Sequence, residues 1–181
     1  MKKNKLSFET KFWVYYEIKN PFEVIDAFFD YAHLDYYKQI LGEAILYNSK
    51  GRIYKKNFPE RVFVFYTALR SFLKACYCLQ SKSRKWKVKG SSENWSILHQ
   101  ASLTRVEYGD PFIVFQKAFV ELTLDEFEFF LSEIVHLSLA PCTEEFDFDV
   151  MTPYLYLIKM LDASQLMRER GVEKIKKEKL P

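Results

Sequence analysis

Four of the six prolines in this chain stand where an amphipathic segment begins, and that placement restricts the fold to helices more than any other feature. A first-turn proline costs a helix nothing, because the missing amide has no intrahelical acceptor and the ring fixes the φ the turn needs. Asn20-Pro21, Asp110-Pro111 and Thr152-Pro153 add a capping side chain just before the ring, whereas Phe58-Pro59 opens its segment without one. Glycine, at five in 181 residues, is too scarce for the tight turns of antiparallel sheets.

Apolar spacing then sets the helices. Residues 21–47 carry Ile25, Phe28, Phe29, Ala32, Tyr36 and Ile40 on one side and stop at Asn48-Ser49-Lys50-Gly51. Residues 59–79 place Val62, Phe65, Leu69, Phe72, Leu73 and Cys76 on one face, with Arg70 and Lys74 opposite. A third helix is expected over 92–108, with Trp95, Leu98, Ser102 and Val106 at three-to-four spacing, and a fourth over 111–122 with Phe112, Phe115 and Phe119. Thr123 and Glu126 form a capping box for a fifth that ends before Pro141, and a sixth runs over 153–170 to Gly171. Residues 12–18 suit either a strand or an opening helical turn, and 84–89, where basic residues alternate with Trp86 and Val88, a short extended segment. The expectation is an all-α, single-domain bundle of about six helices over residues 1–171. Aromatic residues, 18% of the chain, fill its core, and a lysine-rich tail over 172–181 frays.

The net charge of +3 hides a strong asymmetry. Residues 1–90 hold 18 Lys+Arg against 8 Asp+Glu, residues 91–170 hold 5 against 14, and the tail holds 4 against 2. The positive excess gathers in Lys82, Arg84, Lys85, Lys87 and Lys89 around Trp86, with a second basic run over 50–56. The negative excess includes Glu144, Glu145, Asp147 and Asp149, interleaved with Phe146 and Phe148. Charge separated in this way points to an electrostatic surface that faces a protein partner, a second copy, or the other half of the chain. Cations around an indole also suit nucleic acid, whose phosphates pair with the lysines while a base stacks on the ring.

Chemistry of other kinds has thinner support. Asp30 with His33 and Glu133 with His136 have the carboxylate-x-x-His spacing of metal sites in helical bundles, but His136 falls opposite the core stripe of its helix. His99 reads as a hydrogen-bonded core histidine beside Trp95 and Leu98. Cys76 and Cys78 project about 200° apart on one helix, so no redox pair is expected, and with Cys142 they make an odd number that suits a reducing compartment. The segment after the basic start Met-Lys-Lys-Asn-Lys is interrupted by Glu9 and Lys11, unlike a signal peptide, and the apolar runs are shorter than a membrane span. The expectation is a cytoplasmic, non-enzymatic interaction module without cofactor or metal. Nucleic-acid binding through Lys82–Lys89 and a metal-dependent enzyme are its alternatives.

Overall fold

The computed structural model describes residues 6–49, 59–90, 102–139 and 149–175, and within them the chain is all-α with an aromatic core. Among the described residues eight helices and one antiparallel ribbon follow in order: α1 Lys11–Val14, α2 Pro21–Tyr31, α3 Leu34–Ser49, α4 Pro59–Leu79, β1 Trp86–Val88, α5 Arg105–Gly109, α6 Phe112–Glu121, α7 Leu124–Leu139, α8 Met151–Arg170 and β2 Val172–Lys174. The central helix is α4, packed by α1, α2, α6 and α7, while α8 closes against α2, α3 and α6.

Because α4 is covered on more than one side, its apolar stripe is buried as the spacing predicts but its polar face is not left to solvent. Lys74, expected in water, is only 6% exposed. Its ammonium lies 3.0 Å from Glu9 and 3.6 Å from Glu128, and Arg70 reaches the same two carboxylates at 3.3 and 2.9 Å. Pairing offsets the desolvation of these charges and ties the N-terminal segment and α7 to α4. Among the described residues α4 is also the one helix long and apolar enough to cross a membrane, although 67% of that stretch is buried within the bundle.

The helix expected over 21–47 is two helices. Ala32 leaves α2 in an extended conformation, and no proline or glycine announces the break. Its cause is tertiary: Tyr37 folds back so that its hydroxyl donates to the Phe28 carbonyl at 2.7 Å, while its ring stacks on Phe28 at 3.8 Å. The Phe28 carbonyl, which also accepts the Ala32 N–H at 3.4 Å, thus gains a second, buried donor. Phe28 stacks on its other side against Phe72 of α4 at 4.6 Å and meets Trp13 and Phe29 edge-on.

Other helix starts shift for local reasons. The Asn20 side chain caps α2 as predicted, accepting from the Phe22 amide, and Thr123 and Glu126 form the expected box at α7. The last helix starts earlier than residue 153, because Asp149 accepts from the Met151 and Thr152 amides, and Pro153 still falls among the first-turn amides that need no acceptor. The helix expected over 92–108 is represented by α5 alone, capped by the Thr104–Glu107 box; residues 91–101, with Trp95, Leu98 and His99, lie outside the described residues. Of residues 12–18, Phe12 to Val14 belong to the helical turn α1, and the chain leaves it through Tyr15, whose φ is 68°, so that 15–18 are neither helix nor strand.

The extended reading of 84–89 holds for Trp86–Val88, which form β1, while Arg84 and Lys85 lie in the turn before it, and the partner of β1 is a surprise. Residues 172–174, expected to fray with the tail, pair with it in the register Trp86↔Lys174, Lys87↔Glu173, Val88↔Val172. Gly171 makes the return possible: its φ of 75° and ψ of 157° lie in a region that L side chains rarely adopt.

Candidate functional site

The ribbon and the turn before it divide the basic segment in two. After α4 the chain tightens through Lys82 N–H to the Leu79 carbonyl and through the Lys85 and Trp86 amides to the Lys82 carbonyl. The ribbon extends through Lys89 N–H to Gly171 O at 3.0 Å and Ile175 N–H to Lys85 O at 2.9 Å. Arg170 braces it by donating to the Lys89 and Tyr108 carbonyls, both at 2.7 Å, with its guanidinium over the Tyr108 ring.

Trp86 is committed within the fold. Its ring lies 5.0 Å from that of Phe22, and the Lys174 ammonium sits 5.4 Å from its centroid. Lys87 pairs with Glu173 across the ribbon at 3.3 Å, both side chains largely in water. Lys85 and Lys89 are exposed beside them. Of the acidic residues singled out, Asp149 caps α8, and Glu144, Glu145 and Asp147 lie outside the described residues. Asp149 lies just before α8 and Gly171, against β1, follows its end, so the 20-residue helix separates Asp149 from the ribbon by about 30 Å.

Lys82 and Arg84 belong to a different feature, an open cleft of about 1070 Å³. They share its wall with Lys19, and no Asp or Glu lines it among the described residues. Gln80, Ser81, Ser83 and Gln116 add polar groups, while Leu6, Phe8, Tyr77 and Val120 make an apolar side. Val120 is 87% exposed and Tyr77 42%, so this side has apolar surface that the fold leaves uncovered. Gln116 Nε2 joins the α6 wall to the turn, donating to Ser83 Oγ at 2.7 Å and to the Gln80 carbonyl at 3.4 Å.

The far wall is set by a hook in the N-terminal segment. The Glu17 carboxylate accepts from the Ser7 hydroxyl and from the Phe8 and Glu9 amides, at 2.8, 2.9 and 3.1 Å. Burial raises its pKa, and these donors together with Thr10 outweigh that and hold it below the usual carboxylate range. Thr10 closes the hook, donating to Tyr16 O and accepting from Ile18 N–H. Phe8 is thereby fixed in the core edge and Lys19 is carried to the cleft. Sequence reading found Lys82 and Arg84 but missed Lys19, Tyr77 and Gln116, which come from distant positions with no shared motif.

The remaining candidates do not assemble. The break after Tyr31 puts Asp30 at the end of α2 and His33 in the following turn, so the two lose the shared helical face, and Asp30 pairs with Arg168. His136 is exposed, as its phase predicts. Among the described residues no three His, Cys, Asp or Glu side chains gather as metal ligands. Cys76 is fully buried with its thiol 3.8 Å from Ser164 Oγ; burial drives its pKa upward and keeps it a protonated core side chain. Cys78 lines the cleft, its pKa also raised by burial despite Lys82 nearby.

Among the described residues two buried carboxylates, Glu107 and Asp162, hold helices together. Glu107, 1% exposed, accepts from Lys117 at 3.0 Å, from Lys159 at 2.8 Å and from the Thr104 amide at 2.9 Å, joining α5, α6 and α8. Asp162 accepts from the Ser102 amide at 2.7 Å and pairs with Lys38. No family model, curated protein or solved structure matches the chain.

Proposed function

We propose that the chain is a non-enzymatic interaction module whose cationic cleft docks an acidic, partly apolar stretch of a macromolecular partner, a second copy of the chain included. What carries this is the lining: Lys19, Lys82 and Arg84 face one cavity with no carboxylate among the described residues, beside the uncovered Tyr77 and Val120. Such a mixture suits a segment that supplies carboxylates and apolar side chains together, the charges giving encounter rate and register and the apolar wall adding area. The nucleic-acid alternative leaned on Trp86 as a stacking face, and that ring is packed against Phe22 and capped by Lys174. A cytoplasmic setting goes with the proposal, supported by the free thiols of Cys76 and Cys78.

The test uses the full chain and a synthetic peptide alternating Glu and Phe, titrated calorimetrically at low and physiological salt. Binding is expected to weaken as the Debye length falls from about 30 Å at 0.01 M to about 8 Å at 0.15 M. Replacing Lys82→Glu with Arg84→Glu is expected to weaken it further, by about tenfold or more. Arg84 is exposed and Lys82 half-buried, so the melting temperature should hold. Affinity indifferent to salt and to the reversal would overturn the proposal.

A further inference from the structure

Resting on the docking proposal above, we infer that the group the cleft recognises on its partner is a phosphate monoester carried by a protein side chain. The donors gathered there exceed what one carboxylate can use. Lys19, Lys82 and Arg84 supply full charges, and Arg84 brings the planar fork that matches two oxygens of one anion. Ser83 is prepared as a donor: its oxygen already accepts from Gln116 Nε2, so its own proton is free for another acceptor. A phosphate monoester carries a charge of about −1.5 to −2 and three acceptor oxygens, matching several cations and neutral donors at once.

A protein is favoured as the carrier by the other side of the cleft. Leu6, Phe8 and Val120 give it an apolar wall that a phosphorylated peptide can cover with flanking side chains, while Tyr77 meets Phe119 edge-on at 5.2 Å. Among the described residues no ladder of parallel rings lines the cleft for successive bases.

The experiment titrates the full chain with three versions of one Gly-Phe-Ser peptide, carrying phosphoserine, glutamate or serine at its centre, and with an oligothymidine. The phosphoserine peptide is expected to bind about tenfold more tightly than the glutamate one, a margin of about 1.4 kcal/mol. Arg84→Ala should abolish that margin, Arg84→Lys should restore only part of it because the fork is lost, and Ser83→Ala should reduce it. Equal affinity for the phosphoserine and glutamate peptides overturns the phosphate assignment and leaves the docking proposal standing. Absence of binding by both peptides overturns the two together, and oligothymidine binding above the phosphopeptide overturns both in favour of nucleic acid.

Discussion

Phe28→Ala is expected to lower the free energy of unfolding by about 3–5 kcal/mol, measured by denaturant titration at neutral pH. Phe28 is fully buried and lies between two nearly parallel rings, Tyr37 at 3.8 Å and Phe72 at 4.6 Å, with Trp13 and Phe29 at its edges. Truncation removes the transfer free energy of a large side chain and leaves a void that stiff neighbouring rings fill poorly. It also withdraws the surface on which Tyr37 rests, although the hydrogen bond from Tyr37 to the residue 28 carbonyl does not depend on the Phe28 ring. Phe28→Leu, which fills most of the space, should recover a large part of the loss. A loss below about 1 kcal/mol for the alanine variant would mean that this ring cluster is not the centre of the core.

Glu107→Ala is expected to cost about 3 kcal/mol at neutral pH, within the range for removing one member of a buried ion pair. Two effects add: the capping interaction with the Thr104 amide is lost, and Lys159 and Lys117 lose their carboxylate. The lysine side chains are 27% and 54% exposed and can turn to water, which keeps the loss from being larger. Glu107→Gln retains the acceptor for the cap and should cost less. Burial pushes the Glu107 pKa up, but the Lys159, Thr104 and Lys117 donors outweigh it and hold the group at about 2, below the value of about 4.5 it has when unfolded. Its stabilisation is therefore fully present above about pH 4.5 and fades as pH falls toward 2. The stability gap between wild type and Glu107→Ala should shrink over that window, and a gap that stays constant down to pH 2 would contradict the ion-pair origin.

These two residues differ in how far sequence alone exposes their roles. Phe28 falls on a regular apolar stripe, so its burial is legible from 3.6-residue periodicity, but its stacking on Tyr37 is not. That contact depends on a helix break at Ala32 that local propensity does not encode. The Glu107 box follows a capping pattern, yet Lys117 and Lys159 come from other helices and no spacing links them. Lys74 shows the same limit in reverse, because periodicity assigns it to water without knowing that Glu9 and Glu128 will cover it. Helix α4 was legible from end to end, since one uninterrupted stripe fixes it.

The site was half legible for a related reason. A local run of cations is visible in the chain, but which of them meet in a cavity depends on where α4 ends and on what packs beside the turn. Lys82 and Arg84 face the cleft with Lys19, whereas Trp86, which gave the run its apparent stacking function, closes a seam with Phe22 and β2. The charge asymmetry also narrows: Asp149 is spent capping α8, about 30 Å of helix away from β1.

The most direct measurement is backbone and indole NMR shift mapping of the full labelled chain during titration with the alternating Glu and Phe peptide. Docking in the cleft should move the signals of Lys19, Tyr77, Ser83, Arg84 and Gln116 while the Trp86 indole and Lys87 stay still. Shifts concentrated on Trp86, Lys87 and Lys89, with the cleft residues silent, would contradict it and return the function to the ribbon.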